Sequence, residues 1–399
     1  MITDKQNEIQ EYIRSIRVIS THSHHLPDEL SQAMDLRSIL LNCYASWAAI
    51  PPDLGNASSV DEYINRYRCN SFFRWLYEAL EQLYGIPFTG KTAMLLDGAI
   101  KEAYAKNSNR HLDILRSDCR FDRIINDRQA NPGYDLGHPD LFAPSFRCDC
   151  FFSGYLKNKP EPNGFFAYSL FEDGSVKTLP DFLEQIGVSV TNAKKKGIVG
   201  LKVAIAYERP LNFENTDIEK AARAFNNENA TQKEIKDFGD VVMFTIAKAA
   251  AETGLPLQIH TGMGQCRATN PMQLQTLVEN NPDTKFHLLH GGFPWFSDTY
   301  ALLMQYKNIW SDTCWIPYLS TTAATQYLVE GLEIADAGRF TWGDDAWMAE
   351  DSCGALLAME HTLTNALAGM IEDGAADMDY AMFLAKRIMY DNARELFGV

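Results

Sequence analysis

The amino-acid sequence predicts an α/β fold, a distorted TIM (β/α)8 barrel with a helical insertion after the first strand. Short apolar or β-branched runs bounded by turn residues recur eight times along the 399 residues, and helix-like stretches separate most of them. Alternating strands and helices favour parallel strands joined by crossover helices, and eight such units favour closure into a barrel. The runs lie at about 17–21, 121–126, 144–151, 199–206, 256–260, 285–290, 308–313 and 339–344.

The longest interval between two runs follows the first strand. About one hundred residues separate it from the second run, and they include the helix-like segment 60–64 and the aromatic stretch 72–80. We interpret 26–118 as a helical insertion that emerges at the carboxyl-terminal face of the barrel; a separate small domain is the alternative. We otherwise expect residues 1–399 to form one barrel domain, because barrels of this class often exceed the average domain length.

The clearest helical interval lies between the fourth and fifth runs. Apolar residues recur with gaps of one to four residues over most of Ile218 to Thr253, a spacing that predicts helix. Gly254 and Pro256 then indicate a helix end before the next strand.

Composition and charge restrict the class of protein. A hydrophobic content of 46% beside 22% charged residues is typical of a globular chain with a sizeable core. The formal net charge is −16 and no run of Lys or Arg is long enough to follow a phosphate backbone, so we expect no nucleic-acid partner. The charged first twenty residues, and the lack of any stretch of about 18 apolar residues, argue against an export signal or a membrane span. We therefore expect a cytoplasmic protein that acts on a small-molecule substrate, with association of copies left open.

Two histidines at the end of the first run are the strongest functional signal. His22 and His24 follow the apolar segment 17–21, and residues i and i+2 of a strand point to the same side. Two imidazoles can thus converge on one metal ion.

Three later runs also end in a polar residue, namely His260, His290 and Asp345. In a barrel, residues at the carboxyl ends of different strands converge at one face. Together with His22 and His24 they would supply four imidazoles and a carboxylate, which suits zinc or another first-row divalent ion. Any one of these histidines alone is as readily a core or surface residue, but four placed alike indicate a metal-dependent enzyme.

These motifs resemble the metal signature of the amidohydrolase superfamily. They are His22-Ser23-His24, His260-Thr261-Gly262, His290-Gly291-Gly292 and Gly343-Asp344-Asp345-Ala346. The segment 257–264, followed by Asn270-Pro271, is similar to the amidohydrolase-like domain that fungi and plants fuse to a glutamine-synthetase-type domain, and to its stand-alone bacterial relatives. The resemblance extends over most of residues 15–399 and is strongest from residue 198 onward.

The resemblance implies a role for each motif. His22, His24 and Asp345 would bind the principal metal ion. Asp345 is preferred to Asp344 because the family's turn reads Gly-Ser-Asp-Ala. His260 would bind the same ion in one-metal members, or a second ion in two-metal members.

Lys202 and His290 distinguish the one-metal from the two-metal arrangement. Lys202 lies in the apolar run of the fourth strand, where an unpaired ammonium is costly, and two-metal members carry a carboxylated lysine there that bridges the ions. One-metal relatives often keep a lysine without that role, and such an amine would pair with a carboxylate or an anionic substrate. We favour one divalent ion, Zn²⁺ above others, which leaves His290 free as a catalytic imidazole. Two ions would require a carboxylated Lys202 and would make His290 a ligand.

The reaction that the resemblance implies is hydrolysis. A divalent ion lowers the pKa of bound water to about 7 and polarises a carbonyl, and Asp345 would serve as general base and then as acid. The expected substrate is a small amide or ester that bears a carboxylate. The alternatives on the same scaffold are decarboxylation of a hydroxy-aromatic acid, isomerisation of a sugar acid, and a binding protein that has lost its chemistry.

Further residues lie where a substrate would contact the barrel. The candidates are Arg147 on the third strand, Lys202 on the fourth with Tyr207 and Arg209 after it, and Trp295 and Trp315 in later loops. An arginine can bind a carboxylate through two parallel hydrogen bonds. Each candidate also has a structural alternative.

Overall fold

The computed structural model describes residues 4–127 and 132–399. Over this part of the chain, eight strands form one parallel sheet in which each strand pairs with its neighbour in sequence. Each predicted run overlaps one strand, so the predicted strand order is confirmed. The strands are β1 (Val18–Ser23), β2 (Phe121–Asn126), β3 (Phe142–Arg147), β4 (Gly200–Val203), β5 (Leu257–His260), β6 (Phe286–Leu289), β7 (Ile309–Asp312) and β8 (Phe340–Thr341).

Backbone hydrogen bonds bring the two ends of the sheet together. The Thr21 amide donates to the carbonyl of Trp342 at 3.1 Å, and the Asp345 amide donates to the carbonyl of His22 at 2.9 Å. Strand β1 therefore lies beside the segment that follows β8, and the predicted TIM-barrel fold is confirmed. Because the first and last strands meet here, β1 and the loop after β8 contribute side chains to the same small region.

Helices surround the sheet, and most of them lie in the segments that connect consecutive strands. They are α1 (Asp4–Ser15), α2 (Asp28–Ser31), α3 (Leu36–Asn42), α4 (Ala45–Ala48), α5 (Ala57–Tyr67), α6 (Ser71–Tyr84), α7 (Ala93–Lys106), α8 (Arg110–Asp113), α9 (Cys150–Ser153), α10 (Leu179–Lys195), α11 (Ile218–Ala222), α12 (Gln232–Thr253), α13 (Gln275–Glu279), α14 (Phe296–Gln305), α15 (Ile316–Leu319), α16 (Thr321–Ile334), α17 (Ala349–Glu372), α18 (Met378–Lys386) and α19 (Asn392–Phe397). Among the helices of the described residues, none has the length and apolar character that crossing a membrane requires.

Helices α2 to α8 form the predicted insertion between β1 and β2. Helix α6 packs against α17, the helix that follows the last strand. Two insertion tyrosines, Tyr84 and Tyr104, donate hydrogen bonds of 2.7 and 2.9 Å to Oε1 of Glu350 in the first turn of α17. Since α17 begins just after Asp345, these bonds hold the insertion at the carboxyl-terminal face of the barrel.

The helix expected over 218–253 is interrupted. The structure has two helices there, α11 and α12, with residues 223–231 between them. This interval contains Asn226-Asn227, and Asn226 has a positive φ of 59°, a conformation that asparagine tolerates better than most residues. Thr231 then begins α12 and exchanges hydrogen bonds with Glu234 as a capping box. Between Phe225 and Ile235 the only apolar residue is Ala230, so the apolar spacing is interrupted where the helix breaks.

Candidate metal centre

A cavity of about 740 Å³ opens at the carboxyl-terminal face of the barrel, a volume typical of small-molecule sites. Strand ends and the loops after them supply most of its wall. The predicted centre lies in this wall as a group, comprising His22, His24, His260, His290 and Asp345. The structure therefore brings together residues that are up to 323 positions apart in the sequence.

Three of these residues form the tightest cluster. Ligand atoms of His22, His24 and Asp345 all lie within 4.8 Å of one another. Oδ1 of Asp345 lies 3.2 Å from Nε2 of His24 and 3.7 Å from Nε2 of His22. The two imidazoles leave β1 on the same side, as the i, i+2 spacing predicts, and their ring centroids are 4.7 Å apart.

The neighbouring carboxylate of Asp344 has different partners. It accepts hydrogen bonds from the hydroxyls of Ser20 and Ser352, so it is engaged behind the cluster while Asp345 faces it. Burial raises the pKa of Asp345, but its contact with His24 and the charges around it act more strongly, and the net pKa is below its usual value. Asp345 is therefore held as a carboxylate, the form that binds a cation.

A carbonyl group and a buried ion pair orient His24. Nδ1 of His24 lies 3.2 Å from the backbone carbonyl of Asp127, and a proton on Nδ1 leaves Nε2 with a free lone pair, as is common for metal-bound histidine. Arg147 spans Asp127 and Asp149, with nitrogen–oxygen distances of 3.3 and 2.7 Å. Arg147 thus meets two carboxylates of the protein on the cavity wall, and it fixes the segment that orients His24.

His290 and His260 form a hydrogen-bonded chain that leads back into the cavity. Nδ1 of His290 lies 3.2 Å from the carbonyl of Cys314, so it carries a proton and donates. Nε2 of His290 must then accept from Nδ1 of His260, 3.0 Å away. This tautomer leaves Nε2 of His260 with an unprotonated lone pair, and that buried atom has no hydrogen-bond partner in the described structure.

Lys202 lies on β4 inside the barrel and is only 1% exposed. Its Nζ is 3.2 Å from Nε2 of His22, and within the described residues no carboxylate lies in ion-pair distance of it. Burial lowers the pKa of Lys202. The amine is therefore an incompletely partnered polar group at the edge of the cluster.

The donors present fit a divalent metal ion. Burial, together with nearby cationic groups, holds the pKa values of His22 and His260 below the usual value, so both imidazoles are neutral near pH 7, as metal ligation requires. Two buried atoms, Nε2 of His260 and Oδ1 of Asp345, lack hydrogen bonds. A second group of ligand atoms within 4.8 Å comprises His290, Cys314 and Asp345.

The predicted substrate contacts divide into two sets. Arg147, Lys202 and Tyr207 line the cavity. Arg209 is instead paired with Asp240 on α12, and its guanidinium is engaged there.

The two predicted tryptophans lie outside the cavity wall that the described residues form. Trp315 is buried, and its ring lies 5.6 Å from that of His290, so it supports the imidazole from behind. Trp295 is half-buried at the start of α14, and its Nε1 has no hydrogen-bond partner in the described structure.

Several cavity residues were not anticipated. Asp127 follows β2 as the histidines follow their strands, so the same signal could have found it. Trp347 comes two residues after Asp345. Tyr44 and Trp47 come from the insertion, where no local pattern indicates that a ring faces the barrel. Glu208 also lines the cavity, and burial, with the nearby acidic groups, raises its pKa to about 7.

Comparison with known proteins agrees with the site. Residues 227–399 match the family model described as amidohydrolase. Over 220 residues, 50% of this chain, the sequence is 27% identical to protein fluG of Emericella nidulans. Over residues 227–399 the chain is similar to the amidohydrolase family. The chain matches 25% of the length of fluG, so it corresponds to a part of that relative.

Solved structures match the chain over nearly its whole length. Uronate isomerase from Thermotoga maritima has a TM-score of 0.77 at 17% identity, with 98% of this chain and 97% of that chain covered. Glucuronate isomerase from Caulobacter crescentus has a TM-score of 0.78 at 15% identity, with 99% and 94% covered. At such identities the likeness shows a shared fold, including the helices between β1 and β2. The donors of the candidate centre are of the residue types that bind first-row divalent ions in proteins.

Proposed function

We propose that the chain hydrolyses a small amide or ester that bears a carboxylate. The observation that carries the proposal is the position of Lys202, whose Nζ lies 3.2 Å from Nε2 of His22 at the edge of the His22, His24 and Asp345 cluster. A buried amine without a carboxylate partner beside a cluster of metal ligands suits a substrate whose anionic group lies near its reacting carbonyl.

The cluster suits one Zn²⁺ ion, because histidine nitrogens and a carboxylate oxygen are the donors that zinc takes in catalytic sites. When bound, the ion would lower the pKa of a water molecule to about 7 and polarise the substrate carbonyl. His22, His24 and Asp345 would hold it, and His260 would offer its free Nε2 as a further ligand. His290, which donates to a backbone carbonyl, would remain an imidazole of the cavity wall.

Asp345 would carry the proton. Its Oδ1 has no hydrogen bond, so the carboxylate can take a proton from the attacking water and deliver it to the leaving nitrogen or oxygen. Water adds to the carbonyl carbon, the bond to the leaving group breaks, and the leaving group departs with the proton. The ammonium of Lys202 would meanwhile hold the substrate carboxylate.

The test combines metal analysis with isotope incorporation. Protein purified without chelator should contain about one equivalent of metal per chain by plasma mass spectrometry. In water enriched in oxygen-18, N-acyl amino acids and γ-glutamyl amides should give product acids with one labelled oxygen. Asp345→Asn should lower kcat by about 10²-fold or more, the usual size of general acid–base catalysis.

A matched histidine variant controls the metal assignment. His24→Ala should lose metal, whereas His361→Ala, which removes an imidazole outside the cavity wall, should keep it. Full activity of Asp345→Asn would rule out its role as base. Two equivalents of metal per chain would replace the one-ion arrangement with one in which Lys202 is carboxylated.

Sugar-acid isomerisation is the second candidate, because the two isomerases match this chain across both the barrel and the insertion. It would use the same cluster and the same amine for the sugar carboxylate. The two reactions differ in their isotope signature. An isomerase would move solvent deuterium onto a sugar-acid carbon without loss of carbon and would incorporate no oxygen-18. A decarboxylase would release carbon dioxide and place solvent deuterium on the carbon that carried the carboxylate, with no oxygen-18 in the organic product.

A further inference from the structure

Three aromatic side chains line the cavity yet remain substantially exposed. Trp47 is 66% exposed, Tyr207 is 55% exposed and Trp347 is 43% exposed. They come from three separate parts of the chain, namely helix α4 of the insertion, the turn after β4 and the loop after β8. The convergence of exposed rings on one cavity is therefore not the by-product of a single amphipathic helix. Leaving large rings in water forgoes burial free energy, which a ligand can recover.

The rings adjoin the metal-ligand imidazoles. The ring of Trp347 lies 5.3 Å from that of His24, and the ring of Tyr207 lies 4.6 Å from that of His260. Trp47 is fixed from behind, with its ring 5.9 Å from that of Trp315. The aromatic surface thus begins at the candidate metal centre and extends outward to solvent.

The cavity is graded in polarity from its floor to its mouth. Lys202, at the floor, is 1% exposed, and Asp345 is 4% exposed. The exposed rings form the outer wall. A ligand that contacts Lys202, Asp345 and the outer rings at once would place an anionic group at Lys202, a reacting carbonyl beside Asp345, and a flat apolar group between the rings.

We propose that the preferred substrate is a small carboxylic acid whose hydrolysable carbonyl is attached to an aromatic group, as in N-aroyl amino acids, and that Trp47 and Trp347 select this group. The inference rests on the proposed function for the position of the carbonyl. Aromatic pairs prefer edge-to-face or offset geometry and contribute beyond simple burial. Rigid rings also bind a flat ligand without losing much side-chain entropy.

Two acids that cannot be hydrolysed test the proposal independently of turnover. 4-Oxo-4-phenylbutanoate and 4-oxopentanoate share the carboxylate and a ketone in place of the amide, and they differ only in a phenyl or methyl group. Isothermal titration of protein purified without chelator should show the phenyl acid binding about tenfold more tightly or better. Trp47→Ala and Trp347→Ala should each reduce that ratio at least about threefold while leaving metal content and 4-oxopentanoate binding unchanged.

Tyr380→Ala is the matched control, because Tyr380 is an exposed aromatic residue on α18, outside the cavity wall; it should preserve the ratio. Equal affinity of the wild type for both acids, or an unchanged ratio in both tryptophan variants, would overturn the proposal. So would a failure of both acids to bind at millimolar concentration, or a change in sedimentation of the Trp47 variant that places this ring in a contact between copies. If the preference holds but aroyl amino acids are not cleaved, the fault lies with the proposed hydrolysis and not with the aromatic subsite.

Discussion

The buried amine of Lys202 is the side chain whose surroundings constrain ligand chemistry most strongly. An ammonium buried without a carboxylate is costly, and Nζ of Lys202 forms its hydrogen bond with an imidazole nitrogen of His22. Arg147, the other cation of the cavity wall, already has Asp127 and Asp149 as partners. The carboxylate of a ligand would therefore bind more strongly at Lys202 than at Arg147.

Lys202→Met is expected to weaken binding of 4-oxopentanoate by about tenfold or more, the effect of losing one hydrogen bond to a charged group. The methyl ester of the same acid should bind the wild type and the variant equally, since it lacks the charge. Isothermal titration measures both ligands. Because methionine fills a similar apolar volume, the variant should fold.

The control for this change is Lys307→Met, which removes an exposed lysine. Equal binding of the acid to Lys202→Met and to the wild type would show that the carboxylate is held elsewhere. A loss of metal from Lys202→Met, with two equivalents in the wild type, would instead identify Lys202 as a carboxylated bridge between two ions.

The residues of the centre differ in how far sequence could predict them. His22, His24, His260, His290 and Asp345 follow apolar runs, and the carboxyl ends of parallel strands meet at one face, so their convergence followed from the fold. The pairing of Arg209 with Asp240 did not, because Asp240 lies 31 residues away on a helix whose rotation depends on packing. The positions of the Tyr44 and Trp47 rings could not be predicted either, because no local sequence pattern indicates which way an insertion helix faces.

At the scale of elements, the first turn of α17 carries an unusual pair of buried acids. Glu350 accepts hydrogen bonds from Tyr84 and Tyr104 of the insertion, and Asp351 accepts one of 2.7 Å from Tyr318. Oδ2 of Asp351 has no hydrogen-bond partner in the described structure, which suits a protonated carboxyl. Burial, reinforced by nearby acidic groups, raises the pKa of Asp351 to about 8.

Asp351→Asn is expected to make the protein more stable relative to the wild type as the pH rises. The pKa of Asp351 is higher in the folded state than in the unfolded chain, where it is about 4. Its contribution to stability is therefore complete below pH 4 and is lost as the pH rises through 8. Between pH 5 and pH 8 the free energy of unfolding of the variant, minus that of the wild type, should increase by at most about 1.4 kcal/mol per pH unit.

Urea unfolding at several pH values would measure this difference. Asparagine keeps an acceptor for the Tyr318 hydroxyl, so the packing of α17 should persist. Asp373→Asn, at an exposed position after α17, should follow the wild type at every pH. Parallel curves for Asp351→Asn and the wild type would mean that Asp351 is ionised in the folded protein.

The elements themselves were largely predictable. Eight apolar runs became eight strands because buried parallel strands read as continuous apolar segments. The break at 223–231 did have signals in the sequence, the polar residues 226–229 and the Thr231 to Glu234 capping pattern, but the apolar residues on either side favoured one continuous helix. The docking of the insertion was not predictable, since it depends on contacts such as Tyr84 with Glu350, which lie 266 residues apart.

For the whole molecule, the candidate centre lies at the seam where the barrel closes. His22 lies in the first strand and His24 follows it directly, and Asp345 follows the last strand. Within the described residues, three backbone hydrogen bonds join the segment after β8 to β1 and His24, namely Thr21 to Trp342, Asp345 to His22 and His24 to Ala346. An ion shared by these side chains would therefore link the two ends of the sheet, and it would stabilise the folded state because the unfolded chain has no such site.

Removal of metal is expected to lower the thermal midpoint of unfolding by several degrees. A ligand at a hundred times its dissociation constant stabilises the folded state by about 2.7 kcal/mol, so the midpoint should rise again as Zn²⁺ is titrated back and should depend on its concentration. Differential scanning calorimetry of chelator-treated and reconstituted protein measures this, with metal content checked by plasma mass spectrometry. His361→Ala should respond to Zn²⁺ as the wild type does, whereas Asp345→Asn should respond weakly because it lacks the carboxylate that joins the loop after β8 to the ion. If the midpoint does not move after verified metal loss, the ion does not bridge the seam, and the stability of the barrel closure comes from the backbone and the packed core alone.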